Sequence, residues 1–125
     1  FARIAVGPHD ADRDMGAMIN DKQRRRVAMF TERAKAAGVP VLAEASLPSD
    51  LPSGGFYARP TLFGPVPRAD TLASEEVFGP ILAVIPFDDE ADAVGLANGT
   101  PYGLVAGIWT ADAKRSMRVA RAMRC

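Results

Sequence analysis

Residues 74–80 read Ser-Glu-Glu-Val-Phe-Gly-Pro and combine side chains that could recognise a ligand with residues that shape a turn. Gly79 allows main-chain conformations that other residues avoid, and Pro80 fixes its own φ and lacks an N–H donor. The turn therefore presents Glu76 and Phe78, two positions apart, just before an apolar run. A carboxylate accepts hydrogen bonds from sugar hydroxyls, and an aromatic ring can lie against a flat heterocycle. This pair of side chains would suit a nucleotide cofactor better than a hydrophobic core.

A simpler interpretation of the same stretch is structural. An acidic turn can be solvated, while Phe78 fills a gap in a hydrophobic core. The short motif leaves both interpretations open and by itself favours the structural one, because a few residues without context carry little information. The elements that position the motif must therefore be considered with it.

The clearest element before the motif is a helix from Asn20 to Ala37. Asn20 can cap this helix, and Gln23 stands where a capping box places a glutamine. Gly38 suits the position after the last turn, where the left-handed conformation is common. Helical spacing predicts the following buried positions: Ile19, Gln23, Val27, Phe30, Ala34 and Ala37. A solvated face is predicted for the basic residues Lys22, Arg24, Arg25, Arg26, Arg33 and Lys35.

Short apolar runs on both sides of the motif predict strands. The predicted extended segments are Val39 to Ala45, Phe56 to Phe63, Ile81 to Phe87 and Leu104 to Trp109. Asp88 or Asp89 can cap a helix that continues to Ala97. A last helix is predicted from Asp112 to Arg124, with Ala113, Met117, Ala120 and Met123 turned inward.

This order of elements predicts an α/β fold. Two strands joined by a helical crossover, such as Ile81 to Phe87 and Leu104 to Trp109, form a βαβ unit that should be parallel. We therefore expect three layers, with helices flanking a mostly parallel sheet of about four or five strands.

Composition argues against several classes of protein. The 125 residues carry 15 basic and 15 acidic side chains, so the charge gives no reason to expect a nucleic acid or an anionic membrane as partner. No apolar run approaches the roughly 20 residues of a transmembrane helix. The single cysteine excludes an internal disulfide framework and is compatible with a cytoplasmic enzyme.

The remaining chemically capable residues predict no catalytic or metal site. His9 and the aspartates around it lack the spacing of metal ligands, and we interpret them as a surface loop. Asn98 and Tyr102 each precede a glycine in a connection between elements, where structural roles are expected. Cys125 follows the last helix without a nucleophile loop around it, so we interpret it as an ordinary cysteine.

Several separated motifs together resemble the NAD(P)-dependent aldehyde dehydrogenase superfamily. Glu-Glu-Val-Phe-Gly-Pro is preceded by Gly-Phe-Tyr-Ala-Arg-Pro-Thr-Leu and followed by Ala-Asn-Gly-Thr-Pro-Tyr-Gly-Leu. Val6-Gly7-Pro8, Met15-Gly16 and Trp109-Thr110 also fit in order and spacing. The resemblance therefore covers essentially the whole chain. One departure is Ala17, which stands where the family usually has proline after Met-Gly.

The resemblance implies that residues 1–125 are a C-terminal portion of the family's catalytic domain. The parent protein would oxidise an aldehyde to a carboxylic acid through a cysteine thioester, with NAD or NADP as hydride acceptor. Glu76 and Phe78 would form one side of its nicotinamide-ribose pocket, with Gln23 as a weaker cofactor-binding candidate, because capping explains that glutamine equally well. In relatives, the nucleophile, the general base and the dinucleotide-binding domain precede the position of Phe1. The chain alone should therefore be inactive, and the parent is expected to be a cytoplasmic homo-oligomer.

Two other interpretations remain open. The chain could be a free-standing, non-catalytic binding or interaction domain of the same fold. It could also belong to a superfamily relative that reduces acyl phosphates or acyl-CoA thioesters. The start at Phe1 without methionine and the end at Cys125, directly after a helical pattern, favour a portion of a larger protein over the free-standing domain. Neither the aldehyde nor the choice between NAD and NADP follows from these residues.

Overall fold

The computed structural model describes all residues from 1 to 125 and divides into two units, Phe1–Ile85 and Pro86–Cys125. The first unit contains all three strands and two helices, and the second contains two helices. None of these helices is long and apolar enough to cross a membrane.

The first helix, α1, spans Asp21–Ala36 and confirms the prediction for this part of the chain. Asn20 caps it, because its side-chain oxygen accepts a 2.8 Å hydrogen bond from the main-chain N–H of Gln23. The helix ends at Ala36 with Ala37 as its C-cap, and Gly38 follows with a φ of 76°, in the left-handed region that glycine adopts readily. Local signals in the sequence therefore define both ends of α1.

A three-stranded sheet lies against α1. Its strands are β1 (Val41–Glu44), β2 (Thr61–Phe63) and β3 (Ile81–Ala83), in the spatial order β1-β2-β3. β1 and β2 are antiparallel, whereas β2 and β3 are parallel and are connected through the short helix α2, Thr71–Ser74. The predicted α/β class is confirmed, and the sheet is mixed. The prediction of four or five strands was wrong, as was the length of each strand.

Prolines explain why the strands are shorter than the apolar runs. Pro40, Pro60 and Pro80 each directly precede a strand, and Pro65 and Pro86 follow β2 and β3 within a few residues. A proline cannot donate to the ladder, so it confines each strand to the residues between prolines.

The core of the first unit lies between α1 and the sheet. The buried residues of the helix are Val27, Phe30 and Ala34, which pack in one cluster with Val39, Ala58, Phe63, Val66, Leu72 and Val77. The prediction that Ile19 and Ala37 are buried was wrong, and Ile19 is 86% exposed. Ile19 lies before the Asn20 cap and Ala37 is itself the C-cap, so neither residue is on the inward helical face.

The second unit contains α3 (Glu90–Ala97) and α4 (Ala113–Ala122), capped by Asp89 and Asp112. Both helices were predicted with these caps or within a residue or two of these ends. An ion pair joins them, because the Nε and Nη2 atoms of Arg118 each donate to one carboxylate oxygen of Glu90 over 2.6 Å. Two parallel bonds of this kind fix the orientation of both side chains.

Two predictions for the second unit were wrong. Residues 104–109 form no strand, so the βαβ unit that should have included them is absent. Leu104 and Trp109 are 95% and 97% exposed, and a strand forms only where a neighbouring strand satisfies its main chain. The inward face predicted for the last helix is likewise exposed at Ala113, Met117 and Ala120.

Candidate functional site

The turn between α2 and β3 contains the residues that the sequence singles out. Val77 is buried in the core cluster, whereas Glu76 is exposed and Phe78 is 68% exposed. Phe78 has a φ of 57°, which costs a residue with a side chain about 1–2 kcal/mol. The alternative interpretation, in which Phe78 fills a gap in the core, was therefore wrong, because the aromatic side chain lies at the surface.

Side chains of α1 hold the main chain of this turn. The amide nitrogen Nε2 of Gln23 lies 2.7 Å from the carbonyl oxygen of Val77 and 2.7 Å from that of Phe78. The guanidinium of Arg26 donates to the carbonyl oxygen of Glu76 over 2.9 Å. Three successive carbonyls of the turn therefore accept hydrogen bonds from one helix.

The side chain of Gln23 does not close a capping box, which corrects one part of the prediction. Its main-chain N–H donates to Asn20 as expected, but its side-chain amide binds the distant turn instead of the cap. An amide NH₂ has two hydrogens, and two acceptors 2.7 Å away use both of them. The Gln23 side chain therefore makes two hydrogen bonds to the turn, whereas in a capping box it would make one, to the main-chain N–H of Asn20.

Gly79 brings the turn into direct contact with α1. A Cβ atom at this position would lie 2.2 Å from Cγ2 of Val27, far inside van der Waals contact. Val27 is buried, so its branched side chain has little room to move. A residue without a side chain is therefore required here for close approach.

Arg26 also contacts the acidic side of the turn. Its Nη2 atom lies 3.7 Å from a carboxylate oxygen of Glu75, and its guanidinium lies 4.8 Å from the centre of the Phe30 ring. Both charged side chains are more than one-third exposed, so this ion pair contributes little to stability. The prediction that Arg26 belongs to a solvated basic face was incomplete. The sequence did contain a signal for this contact: Arg26 lies three residues after Gln23, and residues i and i+3 lie on the same face of a helix.

An open cleft of about 290 Å³ lies beside the turn. Its walls are formed by Leu72, Glu75, Glu76, Val77, Phe78, Gly79, Ile81 and Ala83. Complete small-molecule sites usually occupy about 300–1,000 Å³, so this cleft suits one end of a larger ligand. A carboxylate and an exposed aromatic ring fit a sugar with its attached heterocycle.

The other chemically capable residues lie elsewhere. Asn98 has a structural role, as predicted, because its amide donates to the Ala122 carbonyl over 2.8 Å and its oxygen accepts from the Arg124 N–H over 2.9 Å. These two hydrogen bonds of the Asn98 side chain connect the end of α3 to the end of α4. His9 and Cys125 are exposed, and no three His, Cys, Asp or Glu side chains are grouped so that they could hold a metal ion.

Sequence comparison finds relatives along the whole chain. The model of the Aldehyde dehydrogenase family matches residues 1–125. Betaine aldehyde dehydrogenase from Sinorhizobium fredii is 40% identical over 117 residues, which are 93% of this chain and 24% of that protein. Betaine aldehyde dehydrogenase 2 from Rhizobium meliloti is 42% identical over 120 residues, which are 95% of this chain and 24% of that protein. The chain therefore spans about a quarter of the length of these curated relatives.

Solved structures agree with the sequence comparison. A crystal structure of a protein from Burkholderia cenocepacia, provisionally named an aldehyde dehydrogenase, is 52% identical with a TM-score of 0.93 over 96% of this chain and 25% of that chain. Aldehyde dehydrogenase from Mycobacterium tuberculosis, solved as a complex with NAD⁺, is 35% identical with a TM-score of 0.89 over 98% of this chain and 25% of that chain. Since the family model covers every residue and these relatives share both sequence and fold, the chain belongs to the aldehyde dehydrogenase family.

Proposed function

We propose that this chain is part of the catalytic domain of an NAD(P)-dependent aldehyde dehydrogenase, which oxidises an aldehyde to a carboxylic acid. Family membership and the NAD⁺ complex of the Mycobacterium tuberculosis relative support this function. The observation that carries the chain's own part is the position of exposed Glu76 and Phe78 on the wall of one cleft. The chain supplies this wall to the nicotinamide-ribose pocket.

Each residue has a distinct part in that pocket. The Glu76 carboxylate has only acceptor atoms, which suits it to receive hydrogen bonds from ribose hydroxyls. The exposed Phe78 ring offers an apolar face that limits where the attached nicotinamide can lie. When bound, the cofactor supplies the hydride acceptor. Glu76 and Phe78 orient the cofactor, and accurate orientation of the reacting groups contributes much of the rate acceleration of such a transfer.

The residues that perform the chemistry lie outside this chain in our proposal. Aldehyde oxidation through a thioester needs a cysteine nucleophile, a general base and donors for the oxyanion. The chain's one cysteine, Cys125, is exposed and lies in the second unit after α4, and no Gly-x-Gly-x-x-Gly loop for a dinucleotide is present in the sequence. We therefore expect the chain by itself to be inactive. Calorimetry of the chain with millimolar NAD should show no saturable binding, and a micromolar dissociation constant would contradict this.

The function itself is tested on the full-length protein. We expect it to reduce NAD or NADP when an aldehyde is added, with betaine aldehyde as the first substrate to try because the curated relatives bear that name. Reduced cofactor should form only when aldehyde is present, and the acid should form in equal amount. A folded full-length protein that reduces neither cofactor with any of a broad panel of aldehydes would contradict the proposal. A homo-oligomeric assembly and a cytoplasmic location are further parts of the proposal, which sedimentation and fractionation would test.

A further inference from the structure

The three hydrogen bonds from Gln23 and Arg26 of α1 to the turn all end on main-chain oxygens. Gln23 donates to the carbonyls of Val77 and Phe78, and Arg26 donates to the carbonyl of Glu76. Hydrogen bonds to main-chain oxygens fix the course of the chain whatever side chains the turn carries. The main-chain conformation that these hydrogen bonds fix therefore sets the directions of the Glu76 and Phe78 side chains.

The left-handed conformation of Phe78 depends on this arrangement. One nitrogen can reach two successive carbonyls only if both point to the same side, as they do on either side of a residue with helical dihedral angles. In an extended chain successive residues face opposite sides. Phe78 has a φ of 57°, and its two flanking carbonyls both accept from the one nitrogen of Gln23. Without this amide, the turn loses the contact that favours its strained conformation over an extended one.

We propose that Gln23 and Arg26 are positioning residues, which hold the turn so that Glu76 and Phe78 face the cofactor cleft. The inference rests on the proposed function for what the turn binds. Gln23 itself is then not a donor to the cofactor, because both hydrogens of its amide are used by Val77 and Phe78. Its effect on catalysis passes through the two turn residues, mainly through the hydrogen-bonding carboxylate of Glu76.

Two substitutions in the full-length protein separate these roles. Gln23→Glu keeps the shape of the side chain but replaces the donor with an acceptor, which faces two carbonyl oxygens. Gln23→Ala removes the amide and retains the main-chain N–H that Asn20 binds, so the helix cap is preserved. Lys22→Ala is the matched control, since Lys22 is an exposed neighbour on the same helix.

The first measurement is hydrogen exchange of the peptide that contains residues 75–80, without cofactor. We expect both Gln23 variants to exchange faster in this peptide than the wild type and Lys22→Ala, while the peptides of the sheet are unchanged. Equal exchange in all four proteins would overturn the proposal, because Gln23 would then not hold the turn.

The second measurement is the single-turnover rate of hydride transfer in the wild type and in a Glu76→Gln background. Gln23→Glu should slow the wild type by about 10- to 100-fold, because a misplaced Glu76 would no longer orient the nicotinamide accurately for the transfer. In the Glu76→Gln background the same change should have a clearly smaller effect. Equal effects in both backgrounds would overturn the proposal, since Gln23 would then act independently of Glu76. If Glu76→Gln alone leaves the rate unchanged, the ribose contact itself is wrong, and the exchange experiment still decides whether Gln23 holds the turn.

Discussion

The side-chain amide nitrogen of Gln23 lies 2.7 Å from the main-chain oxygen of Phe78, although 55 positions separate the two residues in the sequence. The same residue is fixed at its main chain by the Asn20 cap. The start of α1 and the candidate site are therefore one connected structure. The Asn20 cap fixes the main chain of Gln23, and the side chain of Gln23 in turn binds the main chain of Phe78.

Replacing Gly79 with alanine should destabilise the first unit. The new Cβ would lie 2.2 Å from Cγ2 of Val27, which is buried and branched. Inserting atoms into a filled core usually costs about 1–3 kcal/mol, so the unfolding midpoint in urea should fall. Gly16→Ala is the matched control, because no heavy atom lies within 4 Å of a Cβ at that position. Equal midpoints for both variants would show that α1 and the turn are not packed as described.

The ion pairs of Glu44 should make the folding stability of the chain depend on pH. The Lys35 ammonium hydrogen-bonds this carboxylate at 3.1 Å and the Arg59 guanidinium lies 3.4 Å from it, and together they lower its pKa below the usual 4.5. As the pH falls, the unfolded chain takes up this proton before the folded chain does. The contribution to stability is therefore present above pH 4.5 and is lost as the pH falls through the lowered folded-state pKa.

Thermal unfolding between neutral and acidic pH tests this effect of Glu44. We expect the wild type to lose stability on acidification more steeply than Glu44→Gln, by at most about 1 kcal/mol for a partly exposed pair. Exposed Glu32, changed to glutamine, serves as the control. Parallel curves for the wild type and Glu44→Gln would contradict the prediction.

The three longer helices were predictable from the sequence because their signals are local, whereas the four-residue helix α2 was not predicted. Asn20, Asp89 and Asp112 each cap a helix through bonds to residues two or three positions later. Strands were predicted less well, because three of the predicted segments ran across prolines, Pro40, Pro60 and Pro86, which cannot donate to the ladder. Residues 104–109 show the second reason: a run of strand-forming residues becomes a strand only with a partner.

The candidate site was only partly predictable, because some of its contacts join residues that are far apart in the sequence. Glu76 and Phe78 could be identified because their neighbours in the sequence define a turn. The hydrogen bonds from Gln23 and Arg26 to that turn could not be identified, because they join positions at least 50 residues apart and end on main-chain oxygens. Main-chain acceptors are present at every residue, so no pattern of residue types marks them.

The exposed apolar residues of the second unit predict that the chain by itself associates with further copies. Leu104, Val105 and Trp109 lie within six positions and are 81–97% exposed, and exposed apolar patches tend to find partners. Sedimentation at ~100 μM should show dimers or larger species, because an interface of ordinary size persists at that concentration. Changing Leu104 and Trp109 together to serine should shift the chain toward monomer, while Met29→Ser should not. A strictly monomeric wild-type chain would contradict this.

We propose that Glu76 contacts the nicotinamide ribose, and the Glu76→Gln variant of the full-length protein tests this claim. Glutamine keeps the shape of the side chain and removes the charge, and a hydrogen bond to a charged group contributes about 1.5–3 kcal/mol. The single-turnover rate of hydride transfer should therefore fall by about 10- to 100-fold at an unchanged thermal unfolding midpoint, while Glu32→Gln keeps the wild-type rate. An unchanged rate in folded Glu76→Gln would contradict the claim.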